Sequence, residues 1–197
     1  MREPDWKSYI VVEPQPIFTP QQCQELIRLG QAEPQSDGAI MVAGHPDKKD
    51  YTARKSEISW IPFDKAPKIY SDLLGWMQLV NRNHFGFEGM EMHEAGQYSE
   101  YSKGDFYKWH IDLGVNGTPM PPVRKISLYL LLNDPKEFEG GELEIFSRAG
   151  DRNDNFVFKL KQGQPLFFAS FHVHRVKPII SGNRKSLVMW FGGTPFK

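Results

Sequence analysis

The chain has 197 residues with 24 basic and 24 acidic side chains, and this zero net charge argues against a broad phosphate-binding surface. Its longest apolar runs, such as Leu128 to Leu132, are strand length and fall far short of the roughly 20 residues that cross a bilayer, and the mixed charges of Met1 to Lys7 lead into no apolar run of leader length. A single cysteine, Cys23, excludes an intramolecular disulfide, suits a reducing cytoplasm, and reads as a packed structural thiol.

The length suits one domain, with residues 1–90 as N-terminal support and 91–197 as the core. Tyr9 to Val12 reads as a short strand. A helix follows, with Thr19 as N-cap, Pro20 in the first turn, Gln22 completing a capping box and Gly30 as its stop. Residues 31–55 are polar and rich in turn formers, with Lys48, Lys49, Arg54 and Lys55 in the second half. A stretch of that kind, 36–55, is expected to form a substrate lid. Ser56 to Ile61 alternates like a strand, and Ile69, Leu73, Leu74, Met77 and Val80 recur at helical spacing between Ala66 and Phe85.

From Glu91 onward the pattern changes to short extended runs separated by turn signals. They cover 96–101, 106–112, 125–133, 142–147, 155–159, 165–168, 174–180 and 185–192. The 13% aromatic content suits such a β-rich core. The predicted class is mainly β with flanking α, a sandwich or barrel with helices covering one sheet.

Within these runs, His110 and Asp112 lie two apart. In a regular strand they share a face at about 6.6 Å, close enough to hold one metal ion. His174 is the candidate third ligand, ahead of His172. Two imidazoles and one carboxylate on one face of an octahedron leave three positions open, the arrangement of non-heme Fe(II) oxygenases. By itself the pair is a common spacing, and a surface pair is the ordinary reading. His45, His84 and His93 read as loop or helix histidines. Residues 174–180, the turn Ser181-Gly182-Asn183 and residues 184–190 are predicted to form a hairpin. On its second strand Arg184 and Ser186 share a face, so a small dicarboxylate could chelate the metal at one end and meet the arginine at the other.

Taken together, these segments resemble the 2-oxoglutarate and Fe(II)-dependent dioxygenases of the prolyl 4-hydroxylase-like superfamily. The resemblance runs from about Gln97 to Phe191. It rests on His110-x-Asp112, Ser127 to Pro135, Glu139-Gly140-Gly141-Glu142-Leu143, and His174-Arg175-Val176-x-Pro178 with Arg184-x-Ser186. The "HRVxP" and "GGEL" segments are similar to those of bacterial and phage PKHD-type hydroxylases.

The resemblance implies a double-stranded β-helix, a cupin-like jelly-roll, with iron held by His110, Asp112 and His174. It implies 2-oxoglutarate as cosubstrate on Arg184 and Ser186, with O2 as oxidant and ascorbate as reductant. Tyr101 matches an aromatic position that contacts the cosubstrate. A second such tyrosine is replaced by Leu131, and Tyr129, two residues away on the same strand face, is the candidate substitute. Because Asp112 is present where related halogenases lack a carboxylate, hydroxylation is the implied outcome. A prolyl or other residue in a peptide or protein is the leading substrate class, served by the polar loops 36–55 and 113–124. A free amino acid or small metabolite stays open as an alternative. So does a non-catalytic, metal-binding jelly-roll module. Nucleic acid is not expected, since the charge is neutral and Trp190 stands six residues after Arg184 where base demethylases carry a second arginine.

Overall fold

The computed structural model describes residues 9–38, 40–42, 45–113, 122–147 and 155–195, with the backbone alone for 40–42 and 45–49. Strand β1 (Ile10–Val12) precedes helix α1 (Pro20–Ala32). Thr19 Oγ1 accepts from the Gln22 amide while Gln22 Oε1 accepts from the Thr19 amide, so the predicted capping box forms. The helix does not stop at Gly30. That glycine serves close packing instead, because a Cβ there would lie 2.3 Å from Tyr98 Cγ.

The polar stretch after α1 contains β2 (Ser36–Asp37), β3 (Ile40–Val42), β4 (His45–Asp50) and β5 (Arg54–Lys55), and leads into β6 (Glu57–Ile61). Helix α2 (Pro67–Val80) continues as a π-helical turn, Asn81–Phe85, which Gly86 ends in the left-handed region. The remaining strands are β7 (Glu91–Met92), β8 (Gly96–Tyr101), β9 (Phe106–His110), β10 (Val123–Leu131), β11 (Phe138–Gly140), β12 (Leu143–Ile145), β13 (Phe156–Phe158), β14 (Pro165–Ala169), β15 (His174–Val176), β16 (Ile179–Gly182) and β17 (Arg184–Gly193).

Strands β1-β14-β10-β17-β8-β6-β2 form the larger sheet, with β7 also on β17; β13-β12-β15-β9-β5 form the smaller one. The first ninety residues therefore add strands to both sheets as well as the two helices. One face of the larger sheet, carrying Ile126, Leu128, Leu130, Phe167, Leu187 and Met189, packs on Leu26, Ile27, Leu73 and Met77 of the helices. Its other face carries Tyr101, Tyr129, Leu131 and Phe168, and meets Leu143, Ile145 and Val176 of the smaller sheet. Two facing sheets around an interior lined by these side chains make the expected double-stranded β-helix. Burial of β10 on both faces explains why its apolar run is nearly unbroken. Among the described residues, no helix is long and apolar enough to cross a membrane.

The predicted hairpin of 174–180 with 184–190 does not form. Strand β15 pairs with β12 and β9, β16 pairs with β11, and β17 pairs with β10, β8 and β7. Pro178 has no N–H to continue β15, and Gly182 adopts φ +71, so the chain crosses to the larger sheet. His174 and Arg184 thus belong to opposite walls of the barrel, and meet its interior from different sheets.

The 36–55 stretch is not a free loop. Strand β2 pairs with β6, β3 with β4, and β5 with β9, while residues 39, 43 and 44 lie outside the described residues. Of the other predicted loop, 113–124, residues 114–121 lie outside them too.

Candidate metal centre and anion clamp

Strand β9 ends at His110, so Asp112 sits just beyond it rather than in the regular strand the spacing suggested. The ladder between β9 and β15 is also irregular: His174 pairs with His110, whereas Val176 pairs with Tyr107. That irregularity lets Tyr107 and His110, three apart, stack ring on ring at 3.4 Å between centroids. The Asp112 amide donates to Ser170 O at 2.9 Å, and Ser127 Oγ donates to Asp112 Oδ2 at 2.8 Å. The carboxylate is thereby fixed from β10 and from the turn after β14.

The structure brings His110, Asp112 and His174 together, one ligand atom of each lying within 4.8 Å of the others. His110 Nε2 lies 3.6 Å from Asp112 Oδ1, and His174 Nε2 lies 3.4 Å from Asp112 Oδ2. Each imidazole faces a backbone carbonyl two residues earlier: His110 Nδ1 with Lys108 O at 2.8 Å, and His174 Nδ1 with His172 O at 2.9 Å. A carbonyl only accepts, so each Nδ1 carries a proton, and each Nε2 is the ring atom aimed at the cluster. His172 thus contributes its carbonyl, while its own ring stays out of the cluster.

The electrostatics suit a cation. Burial, followed by the proximity of His174, holds the His110 pKa well below its usual value, so the ring is neutral and free to ligate. Burial tends to raise the Asp112 pKa, but His174 and His110, aided by Trp190 and Ser127, more than offset it and keep the carboxylate ionised. The Trp190 indole N–H faces Asp112 without completing a hydrogen bond. A buried carboxylate with two imidazole Nε2 atoms converging on it is a donor set that a divalent cation would complete.

The same cavity, about 390 Å³, reaches the second cluster. Arg184 is 2% exposed, and its guanidinium carbon lies 4.7 Å from the Tyr129 ring centroid and 5.4 Å from that of Tyr101, its direct partner across β17 and β8. Arg184 Nη1, Ser186 Oγ and Tyr129 Oη are all buried and make no hydrogen bond among the described residues. Burial raises the Tyr129 pKa against the pull of Arg184 and Ser186, which keeps the phenol protonated as a donor. Three such groups without acceptors fit a carboxylate. Leu131 points into the same interior beyond Tyr129.

Local sequence patterns missed the rest of the lining. Arg54, from the stretch read as a lid, is 8% exposed, lies over the Tyr107 ring at 4.7 Å, and donates to Ser56 Oγ and Gln97 Oε1. Arg124 pairs with Glu94 and lies 3.9 Å from the Trp190 ring, which in turn sits 6.0 Å from that of Trp60. Alternation along β6 places Trp60 inward, but no local signal separates a lining Arg54 from its exposed neighbour Lys55.

Residues 96–192 match the profile of a family described as the 2OG-Fe(II) oxygenase superfamily. A PKHD-type hydroxylase of Shewanella baltica is 32% identical over 94 residues, a match covering 47% of this chain and 40% of that relative. The chain thus matches less than half the length of this curated relative. A prolyl-4-hydroxylase of Pseudomonas putida superposes with a TM-score of 0.70 at 20% identity, covering 94% of this chain and 93% of the other. A prolyl hydroxylase from Trichoplax adhaerens, solved in complex with a hypoxia inducible factor peptide fragment, gives 0.70 at 19% identity over 93% of this chain and 83% of the other.

Proposed function

We propose, for a chain whose residues 96–192 belong to the 2OG-Fe(II) oxygenase superfamily, that it is a hydroxylase dependent on Fe(II), 2-oxoglutarate and O2. Its leading substrate is a prolyl or other residue within a peptide or protein. The observation that carries this reading is the sharing of one cavity by two unfinished sites. One is the His110, Asp112 and His174 cluster; the other is the buried, unpartnered donor set of Arg184, Ser186 and Tyr129. A closed structural metal site would be ligated fully by protein and would have no use for an anion clamp beside it.

In this reading His110 Nε2, His174 Nε2 and the Asp112 carboxylate hold Fe(II), with Ser127 and the two backbone carbonyls fixing their orientation. Arg184, Ser186 and Tyr129 hold the distal carboxylate of 2-oxoglutarate, and the Tyr101 ring flanks the guanidinium. Bound there, Fe(II) and 2-oxoglutarate supply oxidative decarboxylation to succinate and CO2, coupled to placing one oxygen atom of O2 on a C–H bond. The protein contributes position and dryness: apolar walls from Leu143, Phe168, Val176 and Val188 exclude water from the interior. Trp60, Trp190 and Arg124 give the same cavity an aromatic and cationic lining suited to an extended chain. The peptide fragment in the complex of the Trichoplax prolyl hydroxylase supports the polypeptide reading. Ascorbate would serve to restore the ferrous state.

The test is succinate formation by purified protein with Fe(II), ascorbate, 2-oxoglutarate and O2, assayed against panels of proline-containing peptides and free amino acids. Succinate released with a peptide, and lost in His110→Ala, is the expected result. Turnover on free amino acids alone would move the substrate to the small-molecule class. No succinate under any condition, with metal affinity unchanged in His110→Ala, would remove the enzyme reading altogether.

A further inference from the structure

The barrel interior holds a second cavity of about 270 Å³ behind the first, and Tyr129, Leu143 and Arg184 line both. The inward residues of β10 give the axis. Ser127 touches Asp112 at the metal end, Tyr129 lines both cavities, and Leu131 lines the second only. One layer of side chains, the Arg184 guanidinium against the Tyr129 ring, therefore separates the clamp from the far end of the barrel. At that far end Gly140 and Gly141 leave the wall without side chains, and a Cβ on Gly141 would lie 2.9 Å from Arg184 Cδ. Exposed Lys159 stands among the lining residues, and the Glu142 carboxylate that lines the same cavity is paired with Lys177 at 3.5 Å, which leaves Lys159 as the uncompensated charge of the two.

This arrangement bears on a problem of order that rests on the proposed oxygenase reading. A dicarboxylate between the metal and Arg184 lies deeper than a polypeptide covering Trp60 and Trp190. Were the first cavity its only outlet, it could neither enter nor leave while the polypeptide stayed. We propose that the second cavity is a dicarboxylate port. Lys159 gathers 2-oxoglutarate at the far end, Arg184 and Tyr129 swing aside to admit it, and succinate leaves by the same path. A cation at the mouth raises local anion concentration.

The test reads exchange rates rather than turnover. Protein loaded with Fe(II) under argon, alone and with its first cavity covered by a saturating proline-containing peptide, is mixed with 2-oxoglutarate in a stopped-flow instrument. Binding is followed by intrinsic tryptophan fluorescence, to which Trp60 and Trp190 of the first cavity contribute, and the port is read from the rates with peptide bound. Leu131→Trp fills the port. A raised barrier acts in both directions, so association and dissociation should both slow, association by about tenfold. Lys159→Glu, an exposed change that spares the core, should slow association several-fold at low salt, with the difference gone at high salt. Unchanged association and dissociation rates in both variants would overturn the port, as would a Leu131→Trp effect confined to dissociation and Kd. If Leu131→Trp does not fold, Lys159→Glu decides alone. Binding by wild-type protein with unaltered variant rates sinks the port only; no binding by wild-type protein sinks the oxygenase reading and the port with it.

Discussion

The Arg184 guanidinium carbon lies 4.7 Å from the centroid of the Tyr129 ring, so the buried cation and a buried phenol converge at the same depth of the barrel. Neither Arg184 Nη1 nor Tyr129 Oη has a hydrogen-bond partner among the described residues. Leu131, two residues further along β10, lines the space behind them.

If both groups grip one carboxylate, their removal should differ in size. Arg184→Leu deletes a charge-assisted pair and should weaken 2-oxoglutarate binding by about 100-fold or more, about 3 kcal/mol, whereas Tyr129→Phe deletes one neutral donor and should cost about 1 kcal/mol. Calorimetric titration of the Fe(II)-loaded protein under argon measures both. Adding Leu131→Tyr to Tyr129→Phe should recover part of the loss, since the two positions share a strand face.

Metal should stabilise the fold through the three-residue cluster. At a free Fe(II) concentration about 100 times its Kd, linkage gives about 2.7 kcal/mol, or roughly 5–10 °C in melting temperature for a chain of this size. Asp112→Ala should abolish that shift when melting is followed by circular dichroism under argon. A shift preserved in Asp112→Ala would place the metal elsewhere.

Cys23 is fully buried in α1, and burial pushes its thiol pKa up to about 12. The folded state therefore favours the neutral thiol. This contribution is complete below the unfolded value of about 8.5 and is lost as pH rises from there through about 12. Native protein at pH 8 should not react with an aromatic disulfide reagent, while urea-unfolded protein should react at once. Cys23→Ala should flatten the fall in stability measured between pH 9 and 11.

Gly163 adopts φ +75, and a Cβ there would lie 2.1 Å from Phe18 O. Its carbonyl also accepts from the amides of Ile17 and Phe18, so the start of α1 is tied to the turn before β14. Gly163→Ala should destabilise by about 2 kcal/mol or more in urea titration, because neither the backbone angle nor the facing carbonyl can yield cheaply.

Much of this was legible because the signals are local. The capping box of Thr19 and Gln22, the alternation of Ser56 to Ile61 and the paired faces of Arg184 and Ser186 depend only on neighbours a few residues apart. The metal cluster was legible in composition but not in geometry: Asp112 leaves the strand, and the irregularity after Tyr107 is set by pairing with β15. The hairpin of 174–190 misled because its turn residues resemble a hairpin turn, while the pairing choice was made by β10, β8 and β12 far away in sequence. Arg54 was missed for the same reason. Its burial comes from packing on Tyr107 and Gln97, which no reading of Ala53 to Ser56 contains.

The central claim, that one cavity joins a metal cluster to an anion clamp for a single chelating dicarboxylate, is tested most directly by titrating 2-oxoglutarate under argon into protein with and without Fe(II). The account predicts one site, bound at least about tenfold more tightly with Fe(II), a coupling of about 1.4 kcal/mol. His174→Ala should remove the metal's effect, and Arg184→Leu should weaken binding by about 100-fold or more in both conditions. Equal affinity with and without Fe(II), undiminished in Arg184→Leu, would contradict it.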